Sequence, residues 1–364
     1  MSTATTHQLV KNINNLEIIR QKLNITKPII KWVGGKTQII DKIIDEYTTT
    51  ITNYHEICLG GGSVLLALLS YKKSGHVNIT GTINAYDINE TLISLYKNIQ
   101  SNHNELYTTL TTIINEFNSC KNDENSILNR KPKNLEEAMT KSENYYYWSR
   151  IKYNKLSVIE KNSMLGTSLF IFLNKTCFRG VYRVGPNGFN VPYGNYAQPE
   201  IINKAHLQEV HELIQGVIFT HCNFSVPLQK CINNCIDDSN VNSSNVNSSN
   251  VNSSNVNSSN VNSSNVANSV DFIYIDPPYA PENRKSFVGY NKDGFDLEQH
   301  IKLFTLCKEL NTKKIKFIMS NSDVDLIKEH FPSEIYNTQY ITAKRSINSK
   351  KPGSKTQEVI IKNF

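Results

Sequence analysis

No apolar run in the 364-residue chain approaches the roughly 20 residues that a membrane-crossing helix needs, so a soluble protein is expected. Cysteine is sparse and irregular. The seven, at positions 58, 120, 177, 222, 231, 235 and 307, are odd in number and scattered, which argues against a disulfide framework. Cys231-x3-Cys235 is the one close pair, and no matching His or Cys pair completes a tetrahedral set, so no metal is expected. No secretory leader is evident, so the expected location is intracellular, and Asn-x-Ser triplets then carry no glycans. A P-loop is missing as well: Gly35-Lys36-Thr37 invites that reading, but Ile30 stands where the loop needs its first glycine. Hydrophobic content is low at 39%, and the deficit lies in Asn- and Ser-rich stretches rather than throughout. Acids are outnumbered, 32 against 39 Lys and Arg, for a formal net charge of +7. That balance fits a nucleic-acid partner without demanding one.

What is present centres on Asp271-Phe272-Ile273-Tyr274-Ile275-Asp276-Pro277-Pro278-Tyr279. The β-branched and aromatic run reads as a buried strand. Two prolines remove two backbone donors and fix φ twice, so the strand stops in a rigid corner. The corner places a carboxylate and a ring beyond a strand's C-terminal end, where α/β sheets bind ligands. Asp276 and the Pro277 carbonyl can accept hydrogen bonds from an amino group on a flat ring, and Tyr279 can stack on that ring. The plainer alternative is an Asp capping the next helix with a Tyr in the core.

Other stretches bear on the choice. Residues 1–26 are polar and read as an extension with a short helical pattern around Leu16–Leu23. Pro28 to Thr37 contains Lys31-Trp32-Val33-Gly34-Gly35-Lys36, ahead of an amphipathic helix through Ile39, Ile43 and Ile44. A strand from Ile51 to Leu59 leads into Gly60-Gly61-Gly62-Ser63 and an apolar helix, the arrangement by which backbone meets a nucleotide-like cofactor. Any tight strand-to-helix turn uses glycines too. A third strand, Ile83–Asp87, ends in an acid suited either to a ribose or to the N-cap of a helix over Glu90–Ile99. Residues 120–141 turn polar and read as a boundary, followed by an aromatic helix from Asn144.

Beyond the apolar stretch Leu169–Asn174, Gly185-Pro186-Asn187-Gly188 closes a hairpin. Its limbs carry Arg179, Arg183, Tyr193 and Tyr196 with few acids nearby, which fits a DNA major groove or an ordinary solvated surface. A strand over Val217–Phe224 and a helix to about Ile236 come next. Val-Asn-Ser-Ser-Asn then recurs from Val241 to Asn265; this run lacks the apolar area to fold and is expected to be disordered, entering the sheet from the edge opposite the Asp276 corner. The basic tail holds Lys344 and Arg345, placed to meet phosphates or water.

The ordered set Lys31–Lys36, Gly60–Ser63, Asp87-Ile88-Asn89, the Leu173–Tyr196 hairpin with Asn190-Val191-Pro192-Tyr193-Gly194, Asp276–Tyr279 and Lys344–Ile347 resembles the Dam (D12-class) family of DNA adenine-N6 methyltransferases. The likeness runs from about Lys27 to the end, less the repeat. It implies an α/β, Rossmann-like methyltransferase domain for S-adenosylmethionine over residues 27–118 and 205–364, with 237–270 as the low-complexity insertion. A helical and β-hairpin target-recognition domain over 119–204 would be inserted into it.

By the family pattern Trp32, Val33, Lys36, the Gly60–Gly62 turn, Asp87, Asn223, Phe224 and Asp276 face the cofactor. Asp276, Pro277, Pro278 and Tyr279 receive a flipped adenine. Lys31, Arg179, Val181, Arg183, Pro192, Asn195, Tyr196, Lys344 and Arg345 contact double-stranded DNA. Two departures stand out: Glu56-Ile57-Cys58 where relatives usually read Glu-Pro-Phe, and Arg179 in place of a commoner Asn.

The activity implied is methyl transfer to adenine N6 in a short duplex site, GATC or CATG-like, by a monomer that swings the base out of the helix. No metal is required. The competing readings are a catalytically silent DNA-binding protein of the same fold, or an enzyme methylating RNA or a protein amide. The target sequence and a cognate restriction endonuclease are left open.

Overall fold

A computed structural model describes residues 24–123, 125–235, 271–281, 295–344 and 355–364, without the side chains of residues 343, 344, 355 and 356. The expected N-terminal helical pattern and the Asn/Ser repeat lie outside the described residues. The strands are β1 (Thr50–Ile51), β2 (Asn53–Ile57), β3 (Asn78–Ile79), β4 (Ile83–Asp87), β5 (Val184–Gly185), β6 (Gly188–Phe189), β7 (Val217–His221) and β8 (Asp271–Ile275). After them come β9 (Lys316–Ser322), β10 (Asn337–Lys344) and β11 (Lys355–Lys362).

Seven strands form one sheet in the order β10-β11-β9-β8-β2-β4-β7. The five from β9 to β7 run parallel, and β11 and β10 add antiparallel pairings at one side. β8 lies between β2 and β9, which accounts for its unbroken apolar run: Phe272 to Ile275 are all buried. From β2 the chain proceeds to β4 on one side, and β8 pairs on the other. The order therefore reverses at the β2–β8 seam, and the crevice beyond their C-terminal ends is the place where such sheets take ligands.

Each face of the sheet has its own core. On one, Tyr54, Phe272 and Tyr274 join helices Ser63–Lys73, Glu90–Asn118, Ser142–Lys155 and Met164–Thr176 in a single apolar cluster. On the other, Ile57, Ile273 and Ile275 pack with helices Ser225–Asn234 and Leu297–Thr312. The segment between β4 and β7 thus shares a continuous core with the sheet.

Three local expectations change. The strand expected over Ile51–Leu59 is two strands, because Ile51 pairs with β3 while β2 pairs with β4 and β8. The helix expected over Glu90–Ile99 runs to Asn118, re-started after a break at Asn102, whose side chain accepts from the Glu105 N–H at 3.1 Å. The antiparallel strands β10 and β11 had no sequence counterpart: their polar residues hide them.

Candidate active site

The two prolines end β8 as expected, and the Asp276 N–H still reaches back to the Ile57 carbonyl of β2 at 3.1 Å. The carboxylate therefore sits over the β2–β8 seam. Lys36 Nζ lies 2.7 Å from Asp276 Oδ1, with the lysine side chain only 4% exposed and the aspartate 21%. The same ammonium donates to the Gly34 carbonyl and stands 4.8 Å from the centre of the Tyr279 ring. Burial pushes the Asp276 carboxyl up to about 6, against the opposing pull of Lys36. The plainer reading of Asp276 as a helix cap does not hold: the next described helix, Leu297–Thr312, is capped by Asp296.

Tyr279 is held by its hydroxyl, which donates to Glu358 Oε2 of β11 at 2.9 Å. Just beyond, the Ala280 N–H donates to the buried Asn321 Oδ1 at 2.9 Å, and Ser322 Oγ donates to the Ala280 carbonyl. His300 Nε2 lies 3.2 Å from the Pro278 carbonyl. The corner is braced from β9, β11 and a helix at once.

Next to it is the glycine turn. Gly60 and Gly62 take φ of +55° and +74°, and Cys58 before them +62°, values that favour residues without a Cβ. A Cβ on Gly62 would stand 2.3 Å from the hydroxyl of Tyr96, which donates to the Gly61 carbonyl at 2.6 Å. Trp32 packs against the turn from outside, within 3.1 Å of where a Gly60 Cβ would lie, and against Tyr182 at 5.3 Å between ring centres.

Asp87 closes the turn from β4: its Oδ2 accepts from the Gly60 N–H and its Oδ1 from the Asn89 N–H, both at 2.8 Å. Burial pushes the Asp87 carboxyl up, and those N–H groups draw it back. Asp87 is not the N-cap of the following helix; Asn89 is, accepting from the Thr91 N–H at 3.1 Å. The Cys222 N–H donates to the Asp87 carbonyl, so Asn223 and Phe224 follow directly beside it. Asn223 Oδ1 accepts from the N–H and hydroxyl of Ser225, and Phe224 is buried against Phe295. Val33 is half-buried in the same segment as Trp32.

The hairpin forms, with β5 and β6 only two residues long around the expected turn. Its root is tied to the Lys31 segment by the buried Asn174, which accepts from the Lys31 N–H at 2.9 Å and donates to the Lys31 carbonyl at 2.8 Å. Lys31 Nζ stands 4.5 Å over the Tyr196 ring, and the Tyr196 hydroxyl accepts from the Arg179 N–H at 2.8 Å. Exposed Arg179 holds φ +56° and exposed Asn195 φ +50°, so both mark tight corners. Val181 is half-buried and Pro192 exposed; the Pro192 carbonyl accepts from the Phe178 N–H. Arg183 is further along, donating to Asn190 Oδ1 at 2.6 Å. No acid occurs between Lys161 and Glu200, so every charge the hairpin itself carries is basic. Arg345 and the Lys344 side chain lie outside the described residues.

Two groups thus assemble on the sheet, Lys36-Asp276-Tyr279 and Trp32-Gly60-Gly62-Asp87, with a basic hairpin rooted beside them. A family model of the D12 class N6 adenine-specific DNA methyltransferases matches residues 32–230 and 220–347. The chain belongs to that family. Among similar proteins is the Type II methyltransferase M.MjaIII of Methanocaldococcus jannaschii, 30% identical over 350 residues, covering 93% of this chain and 99% of that one. Another is the Type II methyltransferase M1.LlaDCHI of Lactococcus lactis subsp. cremoris, 26% identical over 95% of this chain and 98% of its own. The DNA adenine methylase of Haemophilus influenzae is 26% identical, over 85% and 83%.

Several residues that brace this corner of the sheet had not been singled out from sequence. Glu358 sits on the hidden strand β11, and Asn321 and Asn174 are buried amides whose pairings join distant segments. Glu56, buried beneath the site, accepts from the Tyr54 hydroxyl at 2.8 Å, and burial pushes its carboxyl up to about 8. Its signals in the sequence were a Glu inside an apolar strand and its match to the first residue of the Glu-Pro-Phe that relatives usually carry.

Proposed function

We propose that this chain transfers a methyl group from S-adenosylmethionine to N6 of an adenine swung out of a short duplex DNA site. The observation that carries the reading is the buried Asp276 carboxylate, facing Lys36 and flanked by the Tyr279 ring at the reversal point of the sheet. The turn beside it suits the cofactor: side chains are absent along Gly60-Gly61-Gly62, and bare backbone lies at the start of the helix Ser63–Lys73. Each Asp87 oxygen, having accepted one N–H, keeps a lone pair for a ribose hydroxyl. Trp32, Val33, Phe224 and Asn223 complete that wall. When bound, the cofactor supplies a methyl carbon on a positively charged sulfur.

The chain's own part is orientation. Tyr279 stacks on the extruded base, held in plane by its bond to Glu358. Asp276 and the Pro277 carbonyl accept the two amino hydrogens, which weakens conjugation of the N6 lone pair with the ring and aims it at the methyl carbon. Lys36 holds one oxygen of Asp276, so the other oxygen can accept an amino hydrogen while the ion pair stays in place. The proton lost from N6 passes by way of Asp276 to solvent.

In this reading residues 27–118 and 205–364 form the catalytic part, and 119–204 the target-recognition part. Lys31, Arg179, Val181, Arg183, Pro192, Asn195 and Tyr196 meet a GATC- or CATG-like site, and a monomer acts on the duplex. Methyl transfer from labelled S-adenosylmethionine to duplex oligonucleotides, with N6-methyladenine mapped in the product, tests it. Asp276→Ala should lower kcat by about 10³-fold or more, roughly 4 kcal/mol, with the fold intact. Undiminished turnover in that variant removes the role given to Asp276.

A further inference from the structure

At the opposite edge of the sheet, where β2 and β8 begin, three metal-ligating side chains converge. His55 of β2, Cys231 of the helix Ser225–Asn234 and Asp271, the first residue of β8, each bring one ligand atom within 4.8 Å of the other two. His55 Nε2 is 3.6 Å from Asp271 Oδ1. That nitrogen is buried and has no hydrogen-bond partner among the described residues. The other ring nitrogen does have one: Nδ1 lies 3.3 Å from the Tyr86 hydroxyl, and the two rings stack within 5° of parallel. An imidazole that donates its Nδ1–H to Tyr86 presents the Nε2 lone pair to the cluster. Asp271 is oriented in the same manner by Asn53, whose Nδ2 donates to Oδ1 at 3.0 Å. Outer partners that set a ligand's tautomer and angle are what metal sites require.

We propose that His55 Nε2, Cys231 Sγ and an Asp271 carboxylate oxygen bind a borderline-soft divalent transition ion of the Zn²⁺ class. Tetrahedral bonds of about 2.0–2.3 Å put neighbouring ligand atoms roughly 3.3–3.8 Å apart, a range that contains the His55–Asp271 separation. The widest pair closes by about 1 Å through side-chain rotation. His55 and Asp271 keep 12% and 14% exposure, so a water can take the fourth position. A thiolate and an imidazole select zinc-like ions over Mg²⁺ or Ca²⁺, which demand oxygen. Binding displaces the Cys231 thiol proton to solvent. The metal-free alternative is a His55–Asp271 ion pair with the Cys231 thiol donating to the same carboxylate, and metal titration tells the two apart.

The site is roughly 16 Å along β8 from Asp276, so the ion does not take part in methyl transfer. Its role is structural. It ties the helix that starts after Asn223 and Phe224 to the two central strands, and it joins the chain on either side of residues 236–270. Sequence spacing conceals it, because the ligands stand at 55, 231 and 271. The close pair Cys231-x3-Cys235 misdirects, since Cys235 Sγ turns to the Lys313 carbonyl at 3.7 Å.

The test uses the full chain stripped with chelator and titrated with Co²⁺, then with competing Zn²⁺. One equivalent should bind with a thiolate-to-cobalt charge-transfer band, and Zn²⁺ should raise the thermal midpoint. Cys231→Ser should abolish the band and weaken binding by at least about 100-fold, His55→Gln should weaken it likewise, and Cys235→Ser should change neither. Should Cys231→Ser fail to fold, His55→Gln decides the question. Absence of saturable uptake by the unaltered chain overturns the proposal. So does a charge-transfer band that survives Cys231→Ser or vanishes with Cys235→Ser.

Discussion

Lys36 and Asp276 are 240 positions apart, and their ion pair settles how each behaves. Asp276 could be read from sequence because two prolines advertise a strand's abrupt end; its partner could not, because nothing local in Gly34-Gly35-Lys36 says what the ammonium faces. The same holds for Asp87, where two roles were legible and only the fold shows that Asn89 takes the capping one. The pair has a consequence for pH. Ionised Asp276 is the stronger acceptor of an amino hydrogen and the only form that can take up the N6 proton, and burial pushes its carboxyl up to about 6. The kcat/KM of the free enzyme should therefore climb with pH through about 6 with a slope near one and level off above it. Stability should move the other way. Because the folded value lies above the unfolded value of about 3.9, the folded state holds this proton more tightly, and the contribution is lost as pH rises from about 4 to 6. A rate profile flat between pH 5 and 7 would detach Asp276 from the chemistry.

At the scale of the element, the glycine turn and the hairpin were legible and the strands β10 and β11 were not. Turns announce themselves through residues that tolerate positive φ, as at Gly60, Gly62 and Gly188. β11 reads Lys355-Thr-Gln-Glu and carries its apolar residues only later, so it resembles a surface stretch, yet it supplies Glu358 to Tyr279. Gly62→Ala should show how little room the turn has. The added methyl meets Tyr96 and the φ is strained, so a loss of roughly 1–3 kcal/mol is expected in chemical unfolding. Cofactor affinity measured by calorimetry should fall with it; a variant as stable as the parent would mean that Tyr96 yields freely. For the hairpin, Arg183→Ala should cost roughly 1–3 kcal/mol of discrimination at one base pair if the guanidinium leaves Asn190 for a base edge. Competition among duplexes differing at single positions measures it, and a uniform loss across all sequences would reassign Arg183 to the phosphates.

For the whole molecule, the sheet separates chemistry from its largest oddity. Asp276 lies at the carboxyl edge of β8, whereas residues 236–270 enter at the amino edge, before Asp271. This polarity was deducible from sequence once the strand was recognised, because a chain can enter a strand only at one end. The seven-strand order was not, since it depends on pairings between segments as far apart as Asn53 and Asp271, 218 positions. Removing residues 241–265 should then leave methyl transfer unchanged. The ten residues that remain between Cys235 and Asp271 reach up to about 33 Å, enough to connect the helix to β8 without pulling on either. Loop entropy changes by only about 0.6 kcal/mol per halving of length, so stability should shift by about 1 kcal/mol or less. Both Cys231 and Asp271 survive the deletion, so metal uptake should persist as well. A shortened chain that folds but has lost activity would show that the repeat reaches round to the edge carrying Asp276, and the separation of the two edges would fail.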